Sequence, residues 1–413
     1  MQNLLVYYGT FLEFFEFVLF ALLFPVLGKT LSTTFTIEQQ VTLQYGLFWI
    51  GFLGRPLGAL LLSPLGDGVS RKKVLVVSVV GMAFATMFLG CTPFTINPWI
   101  TVIYIAIFRL LQGVFTGVEY AAATIYTYES HSNKQKQSQS VVYLGIMAAL
   151  GTAAAYIVGG FCYLDYLNVI HFWRAAFILV GFLGLWTGGL RLMRLPDDFL
   201  QPKIAKTKIL NALKDKAVVK NMIIAFFLTG MSFGPWYYIT TFVNTYGIVL
   251  LEKKAPLPFF LNAFICLFIS VIIYGILWFQ KKWPPSNNQI KVYYILFAAL
   301  LAPASYWVFN SASTVAYVLP QLLLAISSQL IVVNVISLAP SLFKQEIRLR
   351  TFAIVQTLSS SILGGSAPLI CHWLSVTFGG KAYASLYPIV LTLVSLICFW
   401  CLKGITTMRN KVH

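Results

Sequence analysis

The sequence predicts an all-α integral membrane protein whose twelve transmembrane helices form two pseudo-symmetric bundles of six. Three observations predict it. Hydrophobic residues make up 59% of the 413 and charged residues only 10%, against roughly 25% charged in a soluble domain. Apolar runs of about 18–25 residues recur along the whole length, each long enough to cross a hydrocarbon core of roughly 30 Å. The longest polar interruption, 191–220, falls after the sixth run and divides the chain nearly in half.

Taken in order, the runs place spans at 4–27, 41–65, 73–92, 98–127, 140–162 and 172–193. The second set falls at 221–250, 257–280, 291–310, 314–341, 351–377 and 384–403. The first run carries Glu13 and Glu16 and lacks a basic start and a small-residue cleavage site, so a retained span is expected rather than a signal peptide. The expected domains are an N-terminal bundle (1–194), a basic cytoplasmic linker (195–220) and a C-terminal bundle with a short tail (221–413). The second part of the linker is amphipathic and suited to the membrane surface.

Orientation follows from Lys and Arg. With the N-terminus inside, most of the 29 fall on the cytoplasmic side, among them Arg71, Lys134, Arg191, Arg194, Lys206, Lys216 and Lys281. Both termini are then cytoplasmic. The net charge of +17 reflects this topology, and no nucleic-acid partner is expected. The six cysteines lie in or beside spans; Cys398 and Cys401 have a redox spacing, but inside a span small packing residues are the favoured reading. No metal, no cofactor and no enzymatic constellation is expected, and the protein is expected to be a monomer in the bilayer.

Ionisable groups inside a span cost several kcal/mol and are functional candidates by default. They concentrate in the first half: Glu13 and Glu16 in span one, Arg55 in span two, Arg109 and Glu119 in span four. Glu13 and Glu16 share a helix face, roughly 14–18 Å into the membrane. Arg109, Gln112, Gly113, Thr116 and Tyr120 form one stripe, with Arg109 about 16 Å from the outer end. A carboxylate in a low-dielectric cavity holds its proton more tightly, and a guanidinium reverses this. Such a group takes and releases a proton as the cavity opens to either side; the alternative is a static ion pair holding spans one and four together. Arg55 either binds a substrate carboxylate or stabilises Glu13 or Glu16.

The loop after span two, Gly66-Asp67-Gly-Val-Ser-Arg71-Lys72-Lys73, resembles the signature loop of the major facilitator superfamily, in which the acid and the basic residue latch the two halves. Ser63, Gly68 and Ser70 stand where that signature has Gly, a basic residue and Gly. Further segments resemble the metabolite:proton symporter family, which transports proline, glycine betaine, α-ketoglutarate, citrate and shikimate. They are Gly9-Thr-Phe-Leu-Glu13-Phe-Phe-Glu16-Phe17, Arg55-Pro-Leu-Gly58, Gln112-Gly-Val-Phe-Thr-Gly117-Val-Glu119-Tyr120 with Glu129 trailing, and Trp173-Arg174. Leu342-Phe343-Lys-Gln-Glu-Ile-Arg348 and Gly364-Gly365-Ser-Ala-Pro368 follow, so the matches run in order from 9 to 368.

The resemblance implies the major facilitator fold and a proton-coupled symporter in the inner membrane that imports a small polar metabolite by alternating access. Its partners would be that solute, the proton and the lipid bilayer. Glu13, Glu16 and Arg109 would couple the proton; Arg55, Gln112 and Glu119 would contact substrate, with Tyr237, Tyr238 and Gln356 from the second half by position or as ordinary packing residues. Asp67 and Arg71 would gate. An exporter by proton antiport is the alternative, and the lack of a proline in span five, Gly151–Gly160, counts against it.

Overall fold

The structure, a computed structural model, describes residues 2–31, 37–68, 70–93, 97–162, 172–196, 214–244, 256–310, 313–344 and 347–402. Twelve helices among them are long and apolar enough to cross a membrane. The first bundle consists of α1 (Gln2–Leu31), α2 (Ile37–Gly68), α3 (Arg71–Gly90), α4 (Pro98–Glu129), α5 (Lys134–Cys162) and α6 (Phe172–Arg194). The second consists of α7 (Lys216–Tyr237), α8 (Leu257–Lys282), α9 (Asn287–Asn310), α10 (Thr314–Val335), α11 (Arg348–Ser359, resuming as Ala367–Thr377) and α12 (Leu386–Trp400). Most of the expected linker, 197–213, lies outside the described residues.

Each expected span has its helix, and several helices run beyond the apolar stretch into polar ends. Local chemistry sets those ends. Ser70 caps α3 by accepting from the Lys73 N–H at 3.4 Å. Asn97 caps α4 by accepting from Trp99 N–H at 3.0 Å, with Pro98 in the first turn, where its missing N–H has no helical partner to lose. The serine that replaces a signature glycine at 70 therefore has a structural use.

Outward faces are apolar and exposed, as for Trp186 and Trp278; such faces meet lipid in a spanning bundle. Inward, α2 and α4 pack backbone to backbone. Gly54 faces Gly113, Gly58 lies on the Val114 backbone, and a Cβ at Gly117 would lie 2.6 Å from the Arg55 Cα. Small residues at a membrane helix interface permit this approach. It brings Arg55 and Arg109, on opposite sides of the seam, to one level.

The bundles meet along α5 with α8 and along α2 with α11. Val142 and Ala149 share a buried cluster with Ile265, Ile269 and Ile273, and the Phe161 ring meets Phe260 edge-on at 5.6 Å. The Ser361 hydroxyl donates to the Phe52 carbonyl at 2.6 Å, and the Trp49 indole donates to the Ser361 carbonyl at 3.3 Å. Among the described residues two π-helical turns occur, Tyr238–Phe242 directly after α7 and Ser360–Gly365 within α11. Such turns widen the helix and concentrate where helices are adapted for function.

Candidate functional site

Phe52 is the meeting point of the two halves. Its ring packs edge-on against Phe17 at 4.6 Å, Phe48 at 5.1 Å and Tyr237 at 5.3 Å, and Gly365 of the π turn in α11 lies directly against it. The Arg55 guanidinium sits 4.4 Å from the centroids of both Phe17 and Phe52. Arg109 sits 4.3 Å from Phe17 and 4.1 Å from Phe20. Phe17 thus carries both guanidinium groups against its ring, an arrangement in which ring quadrupoles replace part of the lost hydration. Gly51 lets Arg109 lie there, since a Cβ at that position would stand 3.0 Å from Nη2.

Glu16 is tied to Arg109 through Gln112. Arg109 Nη1 donates to Gln112 Oε1 at 2.6 Å; Gln112 Nε2 donates to the Thr86 hydroxyl at 2.8 Å and to Glu16 Oε2 at 3.4 Å. The Thr86 hydroxyl completes the ring by donating to Glu16 Oε2 at 2.5 Å. All four side chains are buried. Several other polar atoms at this level are unsatisfied: Glu16 Oε1, both Glu13 oxygens, Arg55 Nε, and Arg109 Nε and Nη2 have no hydrogen-bond partner. Arg55 is a charged neighbour of Glu13 and also faces the Tyr237 hydroxyl. Buried groups left this way are costly unless a partner arrives.

The structure therefore brings Glu13, Glu16, Arg55, Arg109, Gln112 and Tyr237 together. Two expected contacts, Glu119 and Tyr238, are placed elsewhere. Glu119 is sequestered inside the first bundle: its carboxylate meets Arg191 Nη2 at 2.7 Å and accepts from Ser78 at 2.5 Å, and both charged side chains are wholly buried. Tyr238, one residue on from Tyr237, turns into the second bundle, where its hydroxyl pairs with Ser305 at 2.5 Å and its ring stacks on Phe242. Gln356 is buried on α11 with its Oε1 unpartnered.

Arg191 is the residue that sequence reasoning missed. Counted there as a topology charge, it lies in the last turn of α6 with no solvent exposure, and also donates to the carbonyls of Leu5, Val6 and Leu75. Gly9 makes room for it; a Cβ there would stand 2.6 Å from the Arg191 Cζ. The signal was available: Glu119 inside a span needed a cation, and α6 presents Gly184, Thr187, Gly188 and Arg191 on one face.

At the basic end of the bundles Glu129 joins three helices. It meets Arg71 Nε of α3 at 3.1 Å and Arg348 Nη1 of α11 at 3.1 Å. Arg348 folds back to the Phe343 carbonyl at 3.2 Å, which accounts for the Leu342-Phe343 to Arg348 spacing. Asp67 is in the last turn of α2, and its side chain lies outside the described residues. At the opposite end the Tyr156 hydroxyl of α5 donates to the Thr240 carbonyl after α7. Trp173-Arg174 closes α3 from α6, Arg174 Nη1 donating to the Gly90 carbonyl at 3.1 Å.

The family model of the Major Facilitator Superfamily matches residues 6–368. The chain belongs to the Major Facilitator Superfamily. Among its relatives is a putative proline/betaine transporter of Staphylococcus aureus, 28% identical over 95% of this chain and 84% of the relative. Others are the ectoine/proline transporter ProP of Corynebacterium glutamicum, at 26% over 92% and 79%, and the citrate-proton symporter of Klebsiella pneumoniae, at 24% over 91% and 85%. The fold matches the proton:xylose symporter XylE with a TM-score of 0.74 over 97% of this chain and 95% of that one, at 13% identity. This superfamily member is a multi-pass membrane transporter rather than an enzyme.

Proposed function

We propose that this transporter is a secondary-active, proton-coupled symporter that imports a small polar metabolite bearing a carboxylate, such as an organic acid, an amino acid or a betaine. It lies in the inner membrane with both termini cytoplasmic, in keeping with its excess of basic loop residues. The carrying observation is the buried set of two carboxylates and two guanidinium groups at one level, with Arg109 reaching Glu16 only through Gln112. A direct, saturated ion pair would be a strut; this set keeps free valences on both signs.

Charge balance supplies the coupling. With Glu16 ionised, its charge offsets Arg109 across the Gln112 bridge. Protonating Glu16 leaves the buried guanidinium uncompensated, which is costly in a low dielectric. A carboxylate of the solute restores the balance by binding the open N–H groups of Arg109 and Arg55. Proton and solute thus favour each other, and the loaded bundles rock about the Phe52 contact to the other side. Glu13 beside Arg55 is the second carboxylate of the set. Gln112 and Thr86 orient Glu16, Tyr237 carries the state of the site to α7, and Glu119 with Arg191 braces the first bundle.

The test is uptake into proteoliposomes under an imposed inward proton gradient, using radiolabelled proline, betaine, α-ketoglutarate, citrate and shikimate, with wild type beside Glu16→Gln. Accumulation of one solute that collapses with an uncoupler and in the variant is expected. Accumulation that persists in Glu16→Gln, or that ignores the gradient, would overturn the assignment.

A further inference from the structure

The first turns of α7 and the last turn of α12 leave a groove of about 430 Å³ on the outside of the second bundle, at its basic end. Val219, Ile223, Ile224 and Cys398 give it an apolar floor, Cys401 lies at its end, and Lys216 and Lys220 form its rim. The two lysines are exposed and one helical turn apart, so both ammonium groups reach the same side. The acid in that turn, Asp215, is engaged as the α7 cap, accepting from Ala217 N–H at 2.9 Å.

Depth is marked independently. Trp400, at the end of α12, is 61% exposed and lies under Lys291 Nζ at 5.2 Å. Tryptophan and lysine together on an outer surface mark the level of lipid headgroups. A groove at that level opens toward acyl chains on its apolar side and toward phosphates on its rim. The chain adds charge of the same sign just before α7, with Lys203, Lys206, Lys208 and Lys214 in the sequence.

We propose that this groove binds one anionic phospholipid, its phosphate between Lys216 and Lys220 and one acyl chain along Ile223 and Ile224. Water cannot fill an apolar groove facing hydrocarbon usefully, and an acyl chain restores the dispersion contacts that an empty one forfeits. The paired lysines then select an anionic headgroup over a zwitterionic one. Each lysine near such a surface is expected to contribute about five-fold in affinity, so losing both weakens binding about 30-fold.

Native mass spectrometry of the detergent-purified full-length protein, titrated with phosphatidylglycerol or phosphatidylcholine, tests this. Wild type is expected to retain one phosphatidylglycerol in preference to phosphatidylcholine. Lys216→Ala/Lys220→Ala should weaken that lipid about 30-fold. Ile223→Trp, which fills the groove and leaves the charge unchanged, should weaken it as well. Equal retention of both lipids, or no effect of the lysine pair, would overturn the proposal. So would sensitivity to the lysines without sensitivity to Ile223→Trp, since that is surface attraction without a groove. Unchanged size-exclusion profiles and circular dichroism of both variants keep a loss of binding from being a loss of fold.

Discussion

The Arg191 guanidinium meets the Glu119 carboxylate at 2.7 Å with both side chains wholly buried. Through its carbonyl contacts on α1 and α3 and its pair with Glu119 on α4, Arg191 ties three helices of the first bundle to α6. Removing one partner of a buried pair costs about 3–5 kcal/mol because the other charge is left uncompensated. Arg191→Met should therefore lower the thermal unfolding midpoint in detergent sharply. The double variant Arg191→Met/Glu119→Leu, which leaves no orphan charge, should recover much of that loss. A double variant as unstable as the single one would show that the carbonyl contacts, not the charge pair, carry the stability.

Thr86 donates to the same Glu16 oxygen that Gln112 reaches. A hydrogen bond to a charged group contributes about 1.5–3 kcal/mol. Thr86→Val is expected to reduce gradient-driven accumulation several-fold while leaving some, whereas Glu16→Gln should abolish accumulation yet keep solute exchange across the membrane without a gradient. The split between net uptake and exchange is the measurement. Equal loss of both in Glu16→Gln would place the residue in solute binding instead.

Arg109 makes one short hydrogen bond and lies against two aromatic rings at 4.1 and 4.3 Å. A lysine cannot reproduce a planar cation that stacks and donates at once. Arg109→Lys is expected to express and insert as wild type and to transport at less than a tenth of its rate, an effect of about 1.4 kcal/mol or more. Wild-type uptake in this variant would mean that positive charge alone suffices.

The spans were legible because membrane crossing is a property of composition and length, which a linear sequence displays directly. Helix ends were less so, since α4, α5 and α7 continue past their apolar stretches to Glu129, Lys134 and Lys216. The core of the site was legible for the same physical reason: a charge within an apolar run is costly, so Glu13, Glu16, Arg55 and Arg109 stand out. Arg191 did not, because a basic residue at the end of a run beside Arg194 looks like a topology signal. Tyr238 was misplaced for a geometric reason. Adjacent helical residues point about 100° apart, so Tyr237 and Tyr238 could not both face Arg55. Which residue pairs with which across 70 to 219 positions of sequence, as Thr86 with Glu16 or Arg348 with Glu129, is set by packing and is not written in either partner.

Glu129 links the bundles at their basic end through Arg348, and its exposure decides how firmly. The side chains of Glu129 and Arg348 are 13% and 17% exposed, so the pair is partly screened by salt. Behind it Leu349 of α11 packs on Gly66 of α2, closing the same end with apolar contact. Glu129→Gln removes the charge from both Arg71 and Arg348 while keeping the shape, and should open this end more often without unfolding the protein. In a background with a single cysteine at Leu349→Cys, alkylation from the basic side is expected to be several-fold faster with Glu129→Gln than without it. Raising salt should accelerate the parent and leave the Glu129→Gln form nearly unchanged, because the screened interaction is already gone. Equal alkylation in the two forms would mean that the Glu129 ion pairs do not hold the end shut.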